Sequence, residues 1–182
     1  GLTFASLTKD LGDGFGVTVG QFRTPFMRET LVDDNHQLGV NRSVQEADFG
    51  LGFDQGIQLN YASDAFRMNA FLGDGNYINA DNSPWNTTQS DYSLAARGEY
   101  KISGDWSTFD NFTSFKGEEG GMMVGVAGFY TKVNGNGAVT INNDLGPGQG
   151  VFADGDKLYG FTADFSWEMG GANLFASYVW AT

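Results

Sequence analysis

Charged side chains crowd into one stretch of this chain. Between residues 23 and 50 stand Arg23, Arg28, Glu29, Asp33, Asp34, His36, Arg42, Glu46 and Asp48. A sparser set follows at alternate positions: Arg67, then Arg97, Glu99 and Lys101, with Asp54 and Asp164 as further acids. Side chains of these types can pair with one another, or they can bias which ions pass where a long segment narrows a water-filled passage. Little else that catalysis needs accompanies them. The chain has no cysteine and one histidine, which removes disulfides, thiolate chemistry and any two-histidine zinc site. Asp33-Asp34-Asn35-His36 reads as a hydrated loop tip. No nucleophile, base and orienting group fall together, so no enzyme is expected.

No metal or cofactor is expected either. Oxygen-rich clusters occur at Gly73 to Asn76, Asn142 to Asp144 and Asp154 to Asp156. They lack the full spacing of a calcium loop and no Glu closes them, so turn chemistry accounts for them. Acidic residues number 22 against 10 basic ones, a formal net charge of −12. Such a balance excludes a phosphate-backbone partner, since nucleic acid needs a basic surface. The acidity reads mainly as solvated loops, and as a field that favours cations.

The elements that carry these groups are strands. Glycine is abundant at 27 residues, proline scarce at 3, and 15% of residues are aromatic, a composition suited to hairpins and polar loops. No run of about 18 apolar residues exists to form a transmembrane helix. The period is two. Tyr159, Phe161, Ala163, Phe165 and Trp167 share a face opposite Gly160, Thr162, Asp164 and Ser166, because successive strand side chains point to opposite sides. Tyr92 to Lys101 and Leu51 to Tyr61 alternate in the same way. Weaker repeats run through Phe15 to Gly20, Phe66 to Phe71 and Met122 to Tyr130. Ala172 to Trp180 is apolar on both faces and takes no orientation from its sequence.

About eight strands result, joined by links of alternating length. Asp10 to Gly14, Ala62 to Asp64 and Met169 to Gly171 are short. Arg23 to Gly50, Gly73 to Ser90 and Val133 to Asp156 are long, and Gly104 to Gly120 is intermediate. Tight turns at one end and long loops at the other are expected of an outer-membrane β-barrel, as are aromatics near strand ends, here Phe22, Tyr61, Tyr100, Tyr130, Trp167 and Trp180. Strand glycines at 16, 20, 56, 98, 125 and 160 would let a wall bend and let loops approach it closely. The chain opens Gly1-Leu2-Thr3-Phe4 with no signal-peptide pattern; an exported protein would be represented here by its mature form or an internal piece.

Val17-Thr18-Val19-Gly20-Gln21-Phe22-Arg23-Thr24-Pro25-Phe26, followed by Glu29, resembles a recurring stretch of the phosphate-selective porin family (the O/P type). Arg42-Ser43, the strand start from Phe49 to Gly56, Phe71-Leu72-Gly73-Asp74-Gly75 and Arg97-Gly98-Glu99-Tyr100 resemble later elements of the same family, in the same order. The family forms barrels of about sixteen strands. The resemblance implies that residues 1–182 are a single β-barrel domain, roughly half of such a barrel, in a homotrimer of the bacterial outer membrane. It implies constriction or loop-anchoring roles for Arg28, Glu29 and Arg42, with Glu29 and Arg42 free to pair and pin the loop.

A phosphate channel needs cationic rings or ladders. Here Arg67, Arg97 and Lys101 are scattered among Asp54, Glu99 and Asp164, so a general diffusion pore for small hydrophilic solutes or ions is the expected function. Outer-membrane lipid is its expected surrounding. A small non-channel membrane barrel with a structural or adhesive role, or a soluble β-sandwich binding module, is the alternative.

Overall fold

The computed structural model describes residues 4–75, 90–133, 139–140, 151–152 and 155–182. Its strands are β1 (Ala5–Gly12), β2 (Phe15–Arg23), β3 (Phe53–Ala62), β4 (Phe66–Gly73), β5 (Ser90–Ser103), β6 (Gly121–Val133), β7 (Val139–Thr140), β8 (Val151–Phe152), β9 (Lys157–Glu168) and β10 (Asn173–Ala181). Eight of them form one antiparallel sheet in the order β1-β2-β3-β4-β5-β6-β9-β10, while β7 and β8 pair as a separate ribbon. The fold is thus all-β and antiparallel, with eight strands in its main sheet. That sheet is open: β1 and β10 each pair on one side only. Among the described residues no helix is long and apolar enough to cross a membrane.

Short links gather at one end of the sheet. Asp13 and Gly14 make the β1–β2 hairpin, with φ of 52° and 81°, the left-handed pair that matches strand twist. A side chain at position 14 would place Cβ 2.2 Å from the Ala62 carbonyl oxygen, so only glycine fits there. The 24–52 connection leaves from the opposite end and contains the helices α1 (Arg28–Leu31) and α2 (Val44–Phe49) and the 3-10 turn η1 (Asp34–His36). The Ser43 hydroxyl caps α2 by accepting from the Glu46 amide at 3.1 Å. At the short-turn end, the β5–β6 connection holds a second 3-10 turn, η2 (Trp106–Asp110). Most of the 74–89 and 134–156 connections, including Asn142 to Asp144, lie outside the described residues.

The two faces of the sheet are buried in the reverse of the soluble sense. On β9, Tyr159, Phe161 and Trp167 are exposed, whereas Thr162, Asp164, Ser166 and Glu168 are buried. On β5, Tyr92, Leu94 and Tyr100 are exposed and Ser93, Arg97 and Glu99 buried. β10 is oriented by its pairing with β9: Leu174, Tyr178 and Trp180 join the exposed apolar face. Phe22 departs from the expected strand-end position at an interface. Its parity is opposite to that of Phe15, Val17 and Val19, and it is buried on the polar face, edge-on to Phe71 at 5.5 Å.

Burial of the polar face comes from chain laid across it. Near the end from which 24–52 departs, Phe26, Met27 and Leu51 from that segment pack with Phe22, Phe71, Ala95, Ala127, Phe129 and Leu158. Phe26 is fully enclosed and meets the Phe129 ring at 4.9 Å. Side chains of this size contribute roughly 1.5–3 kcal/mol each when buried, so this cluster anchors the segment to the sheet.

Candidate functional site

On the polar face, the strand residues sort into a mainly neutral part and an ion-paired part. Across β1 to β4 runs a ladder of hydroxyls and amides. Thr8 and Thr18 share a 2.8 Å hydrogen bond, the Asn60 amide donates to Thr18 at 2.9 Å, and Asn69 donates to Asn60 at 2.7 Å. From β4 to β9 the ladder becomes ionic. Arg67 pairs with Glu99 directly opposite it, Glu99 accepts from Arg97 at 2.8 Å, and Arg97 grips both oxygens of Asp164 at 2.8 and 2.9 Å.

Arg97 must cross an entire strand to reach Asp164, because β6 lies between β5 and β9. Gly125 of β6 sits opposite both Glu99 and Asp164 in the register. A Cβ at 125 would lie 2.3 Å from Arg97 Nη2 and 2.7 Å from Asp164 Oδ1. The guanidinium therefore occupies the space a side chain would fill, and that is the physical reason for a glycine here. With its remaining Nη1 capacity Arg97 donates to the Phe26 carbonyl at 3.0 Å. It thus ties the overlying segment to the charge chain.

From Phe26 the segment continues along the face toward the short-turn end. Arg28, 3% exposed, donates from Nε to the Ser166 hydroxyl at 3.0 Å and from Nη2 to the Phe109 carbonyl at 2.5 Å. Its guanidinium also stacks over Phe112 at 5.2 Å. Burial pushes it down to about 10, against the opposing pull of Glu99, and it remains cationic at neutral pH. The Phe112 amide donates to the His36 carbonyl at 2.9 Å. The 24–52 and 104–120 connections, which start from opposite ends of the sheet, thus meet over its polar face. Between them and the sheet lies a cavity of about 450 Å³ whose lining includes Arg28, Asp33, His36, Arg67, Asn69 and Glu99.

Of the residues singled out by sequence, the structure brings Arg28, Arg67 and Glu99 to this cavity, with Arg97 beside it in the charge chain. Lys101 stands apart, its ammonium over the Trp106 ring at 5.3 Å, while Arg67 lies over the same ring at 4.4 Å. Glu29 and Arg42 shape the segment itself, and they do so without pairing with each other. Glu29 accepts from the amide and hydroxyl of Ser43, both at 2.5 Å. Arg42 donates to the Glu29 and Val32 carbonyls at 3.0 Å each, and pairs with Asp34 and, at 3.9 Å, with Glu46.

Trp106, stacked on Arg67, and Phe109 carried no signal in the sequence. Ser166 figured there only as a polar member of the β9 alternation, and Gly125 only as one of the strand glycines that allow a close approach; neither was tied to a charged partner. Comparison with protein-family models, with curated proteins and with solved structures gives no match.

Proposed function

We propose that this chain is part of the wall of an outer-membrane β-barrel porin, through which small hydrophilic solutes or ions diffuse along the polar face. The observation that carries the reading is the uncovered apolar face. Its aromatics form two bands. At the short-turn end lie Phe15, Tyr61, Phe66, Tyr100 and Trp167, with Phe15 and Tyr61 rings 4.8 Å apart. At the other end lie Tyr92, Tyr130, Tyr159 and Trp180, with ring separations of 6.0 Å for Tyr92–Tyr130 and 5.9 Å for Tyr159–Trp180.

Tyr92 to Tyr100 and Tyr159 to Trp167 are the same number of steps apart on β5 and β9. At strand rise this is roughly 26 Å along the strand; at the usual barrel tilt of about 35–45° it spans roughly 20 Å across the membrane, most of an apolar belt of about 25 Å between aromatic girdles. Between the bands this face of β2 to β6, β9 and β10 is built from Val, Ile, Leu, Met, Phe, Tyr, Ala and Gly, with the paired amides of Gln21 and Gln55 at its margin on β2 and β3. Among the described residues between the bands, Lys9 on edge strand β1 is the one ionic side chain, opposite Val17 near the short-turn band.

A lipid-facing sheet cannot leave strand edges unpaired, because hydrocarbon offers no hydrogen-bond partners. β1 and β10 therefore pair with further strands in the membrane under this reading, as in the barrel of about sixteen strands that the O/P-type porin resemblance implies. The same resemblance carries the homotrimer. The 24–52 segment is the constriction element, and Arg28, Arg67 and Glu99 are the charges a permeating ion meets in the cavity. Planar-bilayer recording of the purified protein tests this. Stepwise conductance is expected, and an Arg28→Ala change shifts the reversal potential toward cations. Folded protein that inserts without conductance steps would leave a structural barrel in place of a porin.

A further inference from the structure

A second polar pocket, about 260 Å³ in volume, opens at the short-turn end, where Ser107, Thr108, Ser114, Glu118, Glu119 and Glu168 are among its lining residues. The lining consists of acids, hydroxyls and amides, with no Lys, Arg or His. Glu168, the last residue of β9, is 3% exposed, and its Oε2 has no hydrogen-bond partner. An ionised carboxylate oxygen held this way carries an uncompensated desolvation cost. Protonation would remove the charge but still leave Oε2 without a hydrogen-bond partner. The basic side chain that approaches along β9 is Arg28, which donates to Ser166 and Phe109 and makes no ion pair among the described residues.

We propose that this pocket binds a hard divalent cation of calcium's size. Calcium takes six to eight oxygen ligands in flexible geometry, from carboxylates, hydroxyl and carbonyl groups and water, and the lining is rich in such oxygens. Glu168 supplies the fixed buried charge. Glu118 and Glu119 are exposed at the rim and free to close over it; Glu118 holds the Phe115 amide at 2.6 Å through Oε2 only. Among the described residues no three acidic or histidine side chains already converge on one point, so the rim glutamates complete the shell as the ion enters. The ion would bridge the 104–120 connection to the end of β9. Those two elements already touch through the Gly170 amide, which donates to the Ser114 hydroxyl at 2.8 Å.

Terbium luminescence in the detergent-folded protein tests the proposal, independently of whether the chain forms a channel. Trp106, adjacent to Ser107 in the chain, serves as the sensitiser. Saturable emission displaced by calcium is expected. Glu168→Gln should weaken the apparent affinity at least about tenfold through loss of ligand charge, and an E118Q/E119Q double variant should weaken it too. Asp13→Asn, in the exposed β1–β2 hairpin on the far side of the sheet from β9, should leave it unchanged. Far-UV circular dichroism verifies that each variant is folded, and the rim double variant preserves the test if E168Q is not. Absence of saturable emission, or equal weakening by E168Q and D13N, overturns the site.

Discussion

The two faces of the sheet solve opposite problems with the same strands. The bare face carries apolar side chains that cover no other part of the described chain, arranged in bands and nearly free of charge. The covered face carries the hydroxyls, amides and ions, yet it is the buried one, because two connections from opposite ends lie across it. In a soluble β-sandwich the apolar face would be the covered one. The contrast shows that burial here follows from which face the loops occupy and not from hydropathy, and that the buried face must satisfy its polar groups one by one. It largely does so: Thr24 Oγ1, Gln58 Oε1 and Glu168 Oε2 are the buried side-chain atoms without a partner among the described residues.

Breaking the covered face should cost most. Asp164→Ala leaves Arg97 buried beside Glu99 with half its compensation removed, and the expected loss is about 3–5 kcal/mol, read from urea unfolding in lipid vesicles. On the bare face, Ala96→Arg places a charge midway between the bands. In vesicles it should cost about 2–4 kcal/mol; a water-facing surface would tolerate it within about 0.5 kcal/mol.

Gly125→Ala should cost about 1–3 kcal/mol by displacing the Arg97 guanidinium. The cost should largely vanish when Arg97 is already truncated, and a double-mutant cycle measures this coupling. Smallest is Trp106→Leu. Losing its stacking with Arg67 and Lys101 should cost about 0.5–2 kcal/mol, with additional loosening of the 104–120 connection visible as faster amide exchange there.

The strand pattern was readable because period-two alternation is a local property, and the strongest repeats, at Tyr92 to Lys101 and Leu158 to Trp167, are where the faces are cleanest in space. The length of the 23–50 link and its charges marked it as a segment that could fold back, and it lies over the polar face of the sheet. What the sequence hides is which partner each charge takes. Glu29 and Arg42, thirteen residues apart, invite pairing, yet backbone groups and Ser43 outcompete that pair at short range. The Arg97–Asp164 pair spans 67 residues and a third strand, so nothing local announces it. Phe22 shows the reverse lesson. Its aromatic identity suggested a membrane-interface position, but the structure follows the alternation set by Phe15, Val17 and Val19 and buries it on the polar face.

The chain has no cysteine, so single cysteines can be placed along β9 from Leu158 to Trp167 and spin-labelled in vesicles without background. Strict alternation is expected. Labels at 159, 161, 163, 165 and 167 should collide with oxygen and be shielded from a water-soluble nickel reagent, while labels at 158, 160, 162, 164 and 166 should lose the oxygen contact. Water-soluble reagent reaching the odd positions would contradict it, since the apolar face would then meet water and not lipid.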